Sequence, residues 1–433
     1  MLQMLDLRGV PAGAPLDLPR PDLGGEGPVE QVRAILADVR ARGDAAVREL
    51  SERFDGVHLE ELRVPDAELH DALARIDPAL RAALEEARDA IRAFHALRAP
   101  LAPTFERGGI TVRHLELPVD RAGVYAPGGR ARYPSSVLMT AVPAKVAGVG
   151  SVACAMPPGP DGRLPDEQLA AAALAEVDDV YRIGGAQAIA ALAYGTESVP
   201  KVDVICGPGN KWVSIAQREV RGVVGVPAAF AGPSEVVVVA DASVPPEWAA
   251  IDVIVQAEHG PDGLAWLITW DEGTAAAVRA SITTLVERSP RRADTEATLA
   301  SGGYVVLVDG PEQAMAVANA IAPEHLELLS DNAEELLGLV RHAGAVFLGR
   351  EGTAAVGDYL AGPSHVLPTF STARFSSALG VEDFVRRVHA VTVSPAGMAR
   401  VAHHVATIAN AEGLPAHAES ALLRLGEATW SLG

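Results

Sequence analysis

Three segments carry side chains that could bind a metal ion. Gln256 and His259 stand three residues apart where the spacing predicts the end of a helix, so both share one helix face. Asp358 lies in a glycine-flanked loop, and His417 lies near the C-terminus. Together the four residues offer two imidazole nitrogens and two oxygens, a ligand set that Zn²⁺ accepts. Taken singly, a histidine near a helix end and a solvated glutamine are also ordinary structural residues.

Two further residues could move protons. Pro323 predicts the first turn of a helix, which places Glu324 and His325 near a helix N-terminus. The helix dipole there favours an ionised carboxylate and disfavours a protonated imidazole, so both side chains would act as bases near neutral pH. Such groups can take a proton from an alcohol or from water. The alternative is an ordinary helix start with a packed histidine.

A glycine-rich loop could receive phosphate groups. Residues 207–210, with the sequence GPGN, follow an apolar strand and precede a predicted helix over Lys211–Val220. Free backbone N–H groups at such a helix start can bind a pyrophosphate. A complete dinucleotide fingerprint has a third glycine where this chain has Trp212. The loop by itself therefore also fits an ordinary turn.

The elements that must position these residues follow an alternating pattern. Two helices are predicted within residues 29–54, with Asp44 capping the second, and another over Leu80–Leu97. Beyond them, short apolar runs alternate with alanine-rich stretches, which is typical of βαβ units on a mostly parallel sheet. The first 23 residues predict an irregular arm, and the tail from about Ala378 predicts a separate helical unit. The predicted strands are Ile110–Leu117, Arg121–Tyr125, Ser151–Ala155, Asp179–Ile183, Val202–Cys206, Glu235–Ala240, Trp266–Trp270, Tyr304–Val308 and Ala345–Leu348.

Composition narrows the class of partner. The 433 residues include 36 Lys and Arg against 56 Asp and Glu, giving a net charge of −20 that disfavours nucleic acid and anionic membranes as partners. A small-molecule ligand is expected instead. Cys154 and Cys206 form no disulfide or metal motif and are predicted to be reduced, buried thiols. No signal segment or long apolar run is found, so a cytoplasmic location is predicted.

Eight segments in order resemble the histidinol dehydrogenase family. They carry long runs such as GVYAPGGRARYPSSVLMTAVPAKVAGV and APEHLELL, and they occupy residues 123–149, 183–203, 207–210, 231–236, 256–259, 322–329, 357–369 and 411–417. The resemblance implies an NAD-dependent zinc enzyme that oxidises L-histidinol through L-histidinal to L-histidine. Two NAD⁺ are consumed in these closing steps of histidine biosynthesis.

The same resemblance assigns roles to individual residues. One Zn²⁺ per subunit is expected on Gln256, His259, Asp358 and His417, the last supplied by the other subunit. Glu324 and His325 are the expected catalytic bases. NAD contacts are expected from Tyr125, Gln187 and Asn210. The expected substrate contacts are Ser234, Gln256, His259, Glu324, His325, Asp358, Glu412, His417 and, in addition, His365.

The fold implied is α/β, with two Rossmann-like domains, one inserted in the other, and small helical N- and C-terminal segments in an intertwined homodimer. The expected division is an arm at 1–23, a main catalytic domain at 24–124 plus 234–377, an NAD-binding insertion at 125–233 and a swapped segment at 378–433. Departures from the family pattern are Trp212, Gly260 and residues 361–364. Two other classes remain open, a zinc- or nucleotide-binding protein without turnover and a metal-dependent hydrolase.

Overall fold

The structure is a computed structural model, and it describes residues 2–11, 13–19, 27–97, 104–128, 131–227, 234–258, 260, 263–427 and 430. The described chain forms two units, Met1–Leu97 with Val119–Phe384, and Arg98–Pro118 with Val385–Gly433. We call these the first unit and the second unit. No helix in the described ranges is both long and apolar enough to cross a bilayer.

The strands are β1 (Gln3–Asp6), β2 (Phe105–Arg107), β3 (Ile110–Pro118), β4 (Arg121–Tyr125), β5 (Ser151–Ala155), β6 (Asp179–Tyr181), β7 (Val204–Cys206), β8 (Glu235–Ala240), β9 (Leu264–Thr269), β10 (Gly303–Leu307), β11 (His325–Leu329), β12 (Ala345–Leu348) and β13 (Val385–Val393). The α-helices are α1 (Val29–Arg42), α2 (Asp44–Asp55), α3 (Asp66–Arg75), α4 (Pro78–Ala96), α5 (Pro134–Ala147), α6 (Asp166–Leu174), α7 (Gly185–Tyr194), α8 (Lys211–Val220), α9 (Pro246–Ala257), α10 (Glu272–Arg288), α11 (Arg292–Gly302), α12 (Pro311–Ile321), α13 (Ala333–Leu337), α14 (Ala354–Tyr359), α15 (Pro395–Ala411) and α16 (Pro415–Leu423). Short 3₁₀ turns cover Thr372–Arg374 and Val381–Phe384.

The first unit contains two parallel sheets. The larger has the strand order β1-β10-β9-β8-β11-β12, and the smaller has the order β6-β5-β4-β7. Strand β8 shows why apolar runs predict such sheets, because Val236 and Val238 pack into one core while Val237 and Val239 pack into the core on the opposite face. The predicted α/β class with parallel sheets is confirmed.

The smaller sheet shares its core with the first two helices. Residues Val32, Ile35, Val39 and Val47 pack with α7, α8 and the strands of that sheet. The expected division assigns residues 24–124, which include α1 and α2, to the main catalytic domain. The Rossmann-like character and the boundaries of the domains stay predictions. Both cysteines are free and buried, as expected.

Helices α1 and α2 occur as predicted, but Asp44 does not cap α2. Gly43 occupies the cap position, and the Asp44 carboxylate accepts hydrogen bonds from the hydroxyl groups of Thr196 and Ser198. These partners lie about 150 positions away in the sequence, which local spacing cannot reveal. The cap prediction was wrong for that reason.

The arm and the tail contain strands that the sequence did not predict. Residues Gln3–Asp6 of the expected irregular arm form β1, an edge strand that pairs with β10. In the second unit, β13 pairs antiparallel with β3 along nine residues, so the tail is not purely helical. Both strands acquire their hydrogen bonds from segments far away in the sequence, which is why periodicity missed them.

Candidate active site

Glu324 and His325 lie where β11 begins, between β8 and β12. The backbone N–H of Glu235 donates to Glu324 Oε2 at 2.9 Å, and His325 Nδ1 donates to the Glu235 carbonyl at 3.2 Å. His325 Nε2 lies 3.4 Å from Asp358 Oδ1, and Nδ1 lies 3.6 Å from Glu324 Oε2. The imidazole is thus held between two carboxylates, with Nε2 facing Asp358.

The predicted helix after Pro323 was wrong. Residues His325–Leu329 are a fully buried strand with parallel partners on both sides. A proline before such a strand removes no ladder hydrogen bond, so Pro323 is compatible with either element. Leu326 and Leu328 face one core while Leu329 faces the other, and this period of two was the signal for a strand.

Because His325 lies in a strand, the argument from a helix dipole does not apply to its protonation. Burial lowers the pKa of His325, but the charges of Glu324 and Asp358 outweigh burial and hold that pKa well above its usual range. The ring also lies nearly parallel to Phe347, with centroids 6.0 Å apart. These contacts leave an imidazole that is fixed in orientation and that, when deprotonated, is a stronger base than a free imidazole.

Asp358 and His365 are connected through one backbone contact. Asp358 lies in α14, and its carbonyl accepts a hydrogen bond from His365 Nδ1 at 3.0 Å. The Ser136 hydroxyl lies 3.3 Å from His365 Nε2. Because burial lowers the pKa of His365, the neutral ring is favoured, and Nε2 accepts from the Ser136 hydroxyl. The structure thus brings His365 beside the helix that carries Asp358.

The remaining site residues fall into three groups. Gln256 is buried in the last turn of α9, against which α14 packs, and Ser234 immediately precedes β8. His259 lies outside the described residues. Glu412 and His417 belong to the second unit, at the end of α15 and in the first turn of α16, where both are exposed.

The predicted metal ligands fit Zn²⁺ by donor type. Within the described ranges, no three His, Cys, Asp or Glu side chains form a metal-binding group. Of the four predicted ligands, only Gln256 and Asp358 are described in the first unit, and they lie on two helices that pack together. An amide oxygen, a carboxylate and two imidazoles are acceptable zinc ligands, and the zinc site stays a prediction.

A cavity of about 1180 Å³ lies at the carboxyl ends of the strands of the smaller sheet, and Tyr125, Gln187 and Asn210 all line it. Tyr125 ends β4, and its hydroxyl accepts a hydrogen bond from the N–H of Gly185 at 3.1 Å. Burial raises the pKa of Tyr125 to about 12, so the phenol stays neutral. Ligands of open α/β sheets bind at this edge.

The predicted glycine-rich loop forms part of this wall. Asn210 caps α8, with Oδ1 accepting from the N–H groups of Trp212 at 3.0 Å and Val213 at 3.2 Å. Gly207 has φ +115°, and a Cβ there would lie 2.1 Å from the Tyr125 carbonyl oxygen. Only glycine therefore allows this loop to approach the end of β4.

A second cavity, of about 510 Å³, lies next to the first. Its lining includes Tyr359 and Glu258, the neighbours in sequence of two predicted metal ligands. Ala131 and Arg132 belong to the walls of both cavities. The two spaces are therefore adjacent, which would allow a long ligand in the larger cavity to reach toward Asp358.

Three carboxyl groups near these sites were missed by sequence reasoning. Asp55 lines the larger cavity, and its Oδ2 is buried without a hydrogen-bond partner among the described residues. Asp252 and Glu327 are buried, and Glu327 lies between Leu326 and Leu328 in β11. An acid inside an apolar run was a usable signal, whereas nothing in the sequence around Asp55 distinguishes it.

Comparison with known proteins identifies the family. A sequence profile described as "Histidinol dehydrogenase" matches residues 19–425. The histidinol dehydrogenase of Synechococcus sp. is 49% identical over 396 residues, covering 91% of each chain. That of Pseudomonas syringae pv. tomato is 47% identical over 408 residues, covering 93% of this chain and 91% of the other. The chain belongs to the histidinol dehydrogenase family.

The fold agrees with that family. The crystal structure of histidinol dehydrogenase from Elizabethkingia anophelis superposes with a TM-score of 0.91 at 31% identity, covering 98% of both chains. Two departures from the histidinol dehydrogenase pattern occupy defined places. Trp212 lines the larger cavity, and the Gly260 carbonyl accepts a hydrogen bond from the Thr298 hydroxyl at 2.6 Å.

Proposed function

We propose that this chain oxidises L-histidinol through L-histidinal to L-histidine, with two NAD⁺ as hydride acceptors, in the closing steps of histidine biosynthesis. Family membership supports the substrate. The observation that carries the chemistry is the position of His325 between Glu324 and Asp358, at 3.6 and 3.4 Å.

His325 is the base for alcohol oxidation in this proposal. Its Nδ1 already donates to the Glu235 carbonyl, so Nε2 is the atom that takes the hydroxyl proton as hydride leaves. Glu324 is held in place by the Glu235 N–H, which donates to its Oε2 at 2.9 Å. That carboxylate, together with His325, would deprotonate the water that adds to the aldehyde before the second hydride transfer.

Gln256, His259, Asp358 and His417 would hold one Zn²⁺. When bound, the ion would orient the imidazole and amino nitrogens of the substrate. Glu412 would pair with the substrate ammonium group through a charge-assisted hydrogen bond. Ser234 precedes the strand that fixes Glu324, and His365 adjoins Asp358, so both would border the same substrate.

The larger cavity is the proposed NAD site. Tyr125, Gln187 and Asn210 line it, and the N-terminus of α7 offers backbone N–H groups for a pyrophosphate. The adjoining smaller cavity would admit the nicotinamide end toward the substrate. With a volume of about 1180 Å³, the larger cavity has room for a dinucleotide.

We further propose a homodimer in which each active site takes Glu412 and His417 from the second copy. The second unit exposes many apolar side chains, which is typical of a surface that associates with protein. Those exposed include Leu115, Leu117, Val388, Val391, Val405 and Ile408. A second copy of the chain would cover these residues and complete the metal site.

One assay tests the reaction. The protein is incubated with L-histidinol, NAD⁺ and Zn²⁺, and NADH absorbance and histidine are measured together. Two NADH for each histidinol consumed are expected. Ligand binding without NADH would indicate a protein without turnover, and substrate hydrolysis without NAD⁺ would indicate a hydrolase. Either result would refute the proposal.

A further inference from the structure

The first unit contains a buried pair of acids. Glu327, in the middle of β11, is 0% exposed, and Asp252, in α9, is 7% exposed. Burying a carboxyl group costs free energy unless hydrogen bonds compensate it. We call Asp252 and Glu327 the carboxyl pair, and we ask what its hydrogen bonds hold.

The carboxyl pair binds the start of α14. The backbone N–H of Ala354 donates to Glu327 Oε1 at 2.8 Å, and the Thr353 hydroxyl donates to Asp252 Oδ1 at 2.9 Å. The same hydroxyl accepts from the N–H of Ala355 at 3.3 Å and caps the helix. Both acids thus contact the first residues of the helix that carries Asp358.

The two acids also lie next to each other. The carboxyl groups of Asp252 and Glu327 lie within hydrogen-bond reach of each other, although ionised carboxylates only accept hydrogen bonds. Glu327 Oε2 is buried and receives no hydrogen bond from an N–H or O–H group of the described residues. A single proton shared by the pair accounts for both observations. Burial raises the pKa of both acids, and the charge of Asp252 raises that of Glu327 further, which favours retention of this proton.

We propose that the carboxyl pair is a positioning device that fixes the three elements bearing the catalytic and metal-binding residues relative to one another. Gln256 lies one helical turn after Asp252, and His325 lies two residues before Glu327 on the same face of β11. Asp358 lies four residues after Ala354. The pair acts on these three residues through the elements that carry them. The inference rests on the proposed function for the identity of the metal.

The test compares removal of the pair with its conservative replacement. Glu327→Ala and Asp252→Ala should each weaken Zn²⁺ binding about tenfold, measured by competition with a chelator, and lower kcat by a similar factor, because supporting groups orient metal ligands. KM for NAD⁺ should change little. Glu327→Gln should restore both quantities to within about twofold of the unmodified protein, because the amide oxygen accepts from Ala354 and the amide N–H replaces the shared proton.

A matched control uses a buried acid in α2, a helix that packs into the core of the smaller sheet. Asp44 also accepts hydroxyl hydrogen bonds, from Thr196 and Ser198, so Asp44→Ala should lower the melting temperature without changing Zn²⁺ affinity. Amide hydrogen exchange over residues 354–358 supplies a measurement that needs no metal. It should become at least about tenfold faster in Glu327→Ala and stay unchanged in Glu327→Gln and Asp44→Ala.

Two outcomes would overturn the inference. In one, folded Glu327→Ala keeps the Zn²⁺ affinity, kcat and exchange rates of the unmodified protein. In the other, folded Glu327→Gln loses as much as Glu327→Ala. If the alanine variants do not fold, Thr353→Ala takes their place in the test. This variant removes the hydroxyl that donates to Asp252, so it must accelerate amide hydrogen exchange in α14. Failure of the unmodified protein to bind Zn²⁺ or oxidise histidinol would refute the proposed function. The amide hydrogen exchange results would still test whether the carboxyl pair holds α14 in place.

Discussion

The candidate sites at the two sheets of the first unit consist of different kinds of residue. At the larger sheet, Glu324, His325 and Asp358 are charged or titratable groups that hold one another within 3.6 Å. At the smaller sheet, the expected NAD contacts on the cavity wall are a neutral phenol, Tyr125, and two amide side chains, Gln187 and Asn210. The first arrangement is suited to proton transfer, and the second is suited to holding a ligand without reacting with it.

This contrast predicts how substitutions divide between rate and binding. Groups that carry charge in the transition state affect kcat, whereas groups that bind ground state and transition state equally affect KM. Substitutions at the larger sheet should therefore lower kcat, and those around the cavity should raise KM for NAD⁺. A single exception in either direction would show that the division between the regions is incomplete.

The largest effect is expected for His325→Ala. Loss of the base should lower kcat by about 10²- to 10⁴-fold, with a small change in KM for NAD⁺, measured by steady-state NADH formation. His58→Ala serves as the control, because that side chain is 72% exposed and lies outside both cavities, and it should retain full activity. A folded His325→Ala protein with near-normal kcat would exclude this imidazole as the base.

Glu324→Gln should separate the two oxidations. The amide keeps the shape of the side chain but cannot deprotonate water, so conversion of histidinal to histidine should slow about 10²-fold. Oxidation of histidinol to histidinal should change much less, because His325 remains. Rapid-mixing experiments that start from each substrate measure the two steps separately. Equal losses in both steps would show that the roles of Glu324 and His325 are assigned wrongly.

Mixing two inactive variants tests whether the charged site spans two chains. After subunit exchange, His325→Ala and His417→Ala chains should form mixed dimers with one intact site each. Because about half of the dimers are mixed, activity should recover to about one quarter of the unmodified level. Each variant alone, treated in the same way, is the control. Mass spectrometry verifies that the subunits have exchanged. If activity does not recover after verified exchange, His417 lies in its own subunit's site or outside any site.

The sequence predicted the sheets better than the contacts between distant segments. Strands such as β8 are long apolar runs, so composition alone indicated that both faces are buried. By contrast, β11 follows Pro323 and Glu324, which also suit a helix start. Pairing with β8 and β12 makes this segment a strand. Pairing to neighbours far apart in sequence can override local preference, and no single-sequence pattern reports that pairing.

The candidate residues show the same limit. Family motifs located Glu324, His325, Asp358 and Gln256, and the structure gives their neighbours. Their electrostatics could not be read from the chain, because the raised pKa of His325 depends on Asp358, 33 positions away in the sequence. Asp252 and Glu327 carry no motif that sequence reasoning used, since their hydrogen bonds join a helix, a strand and a second helix.

The smallest effect is expected at the cavity, for Tyr125→Phe. The change removes the hydroxyl that accepts from the Gly185 N–H at 3.1 Å, where α7 begins. Loss of one such hydrogen bond is worth about 1 kcal/mol, so KM for NAD⁺ should rise about fivefold while kcat stays within twofold. Titration of NAD⁺ by calorimetry should give the same fivefold loss of affinity. Tyr194→Phe, outside both cavities, is the control. If Tyr125→Phe lowered kcat instead, the phenol would take part in the chemistry, and the separation between a reacting sheet and a binding sheet would fail.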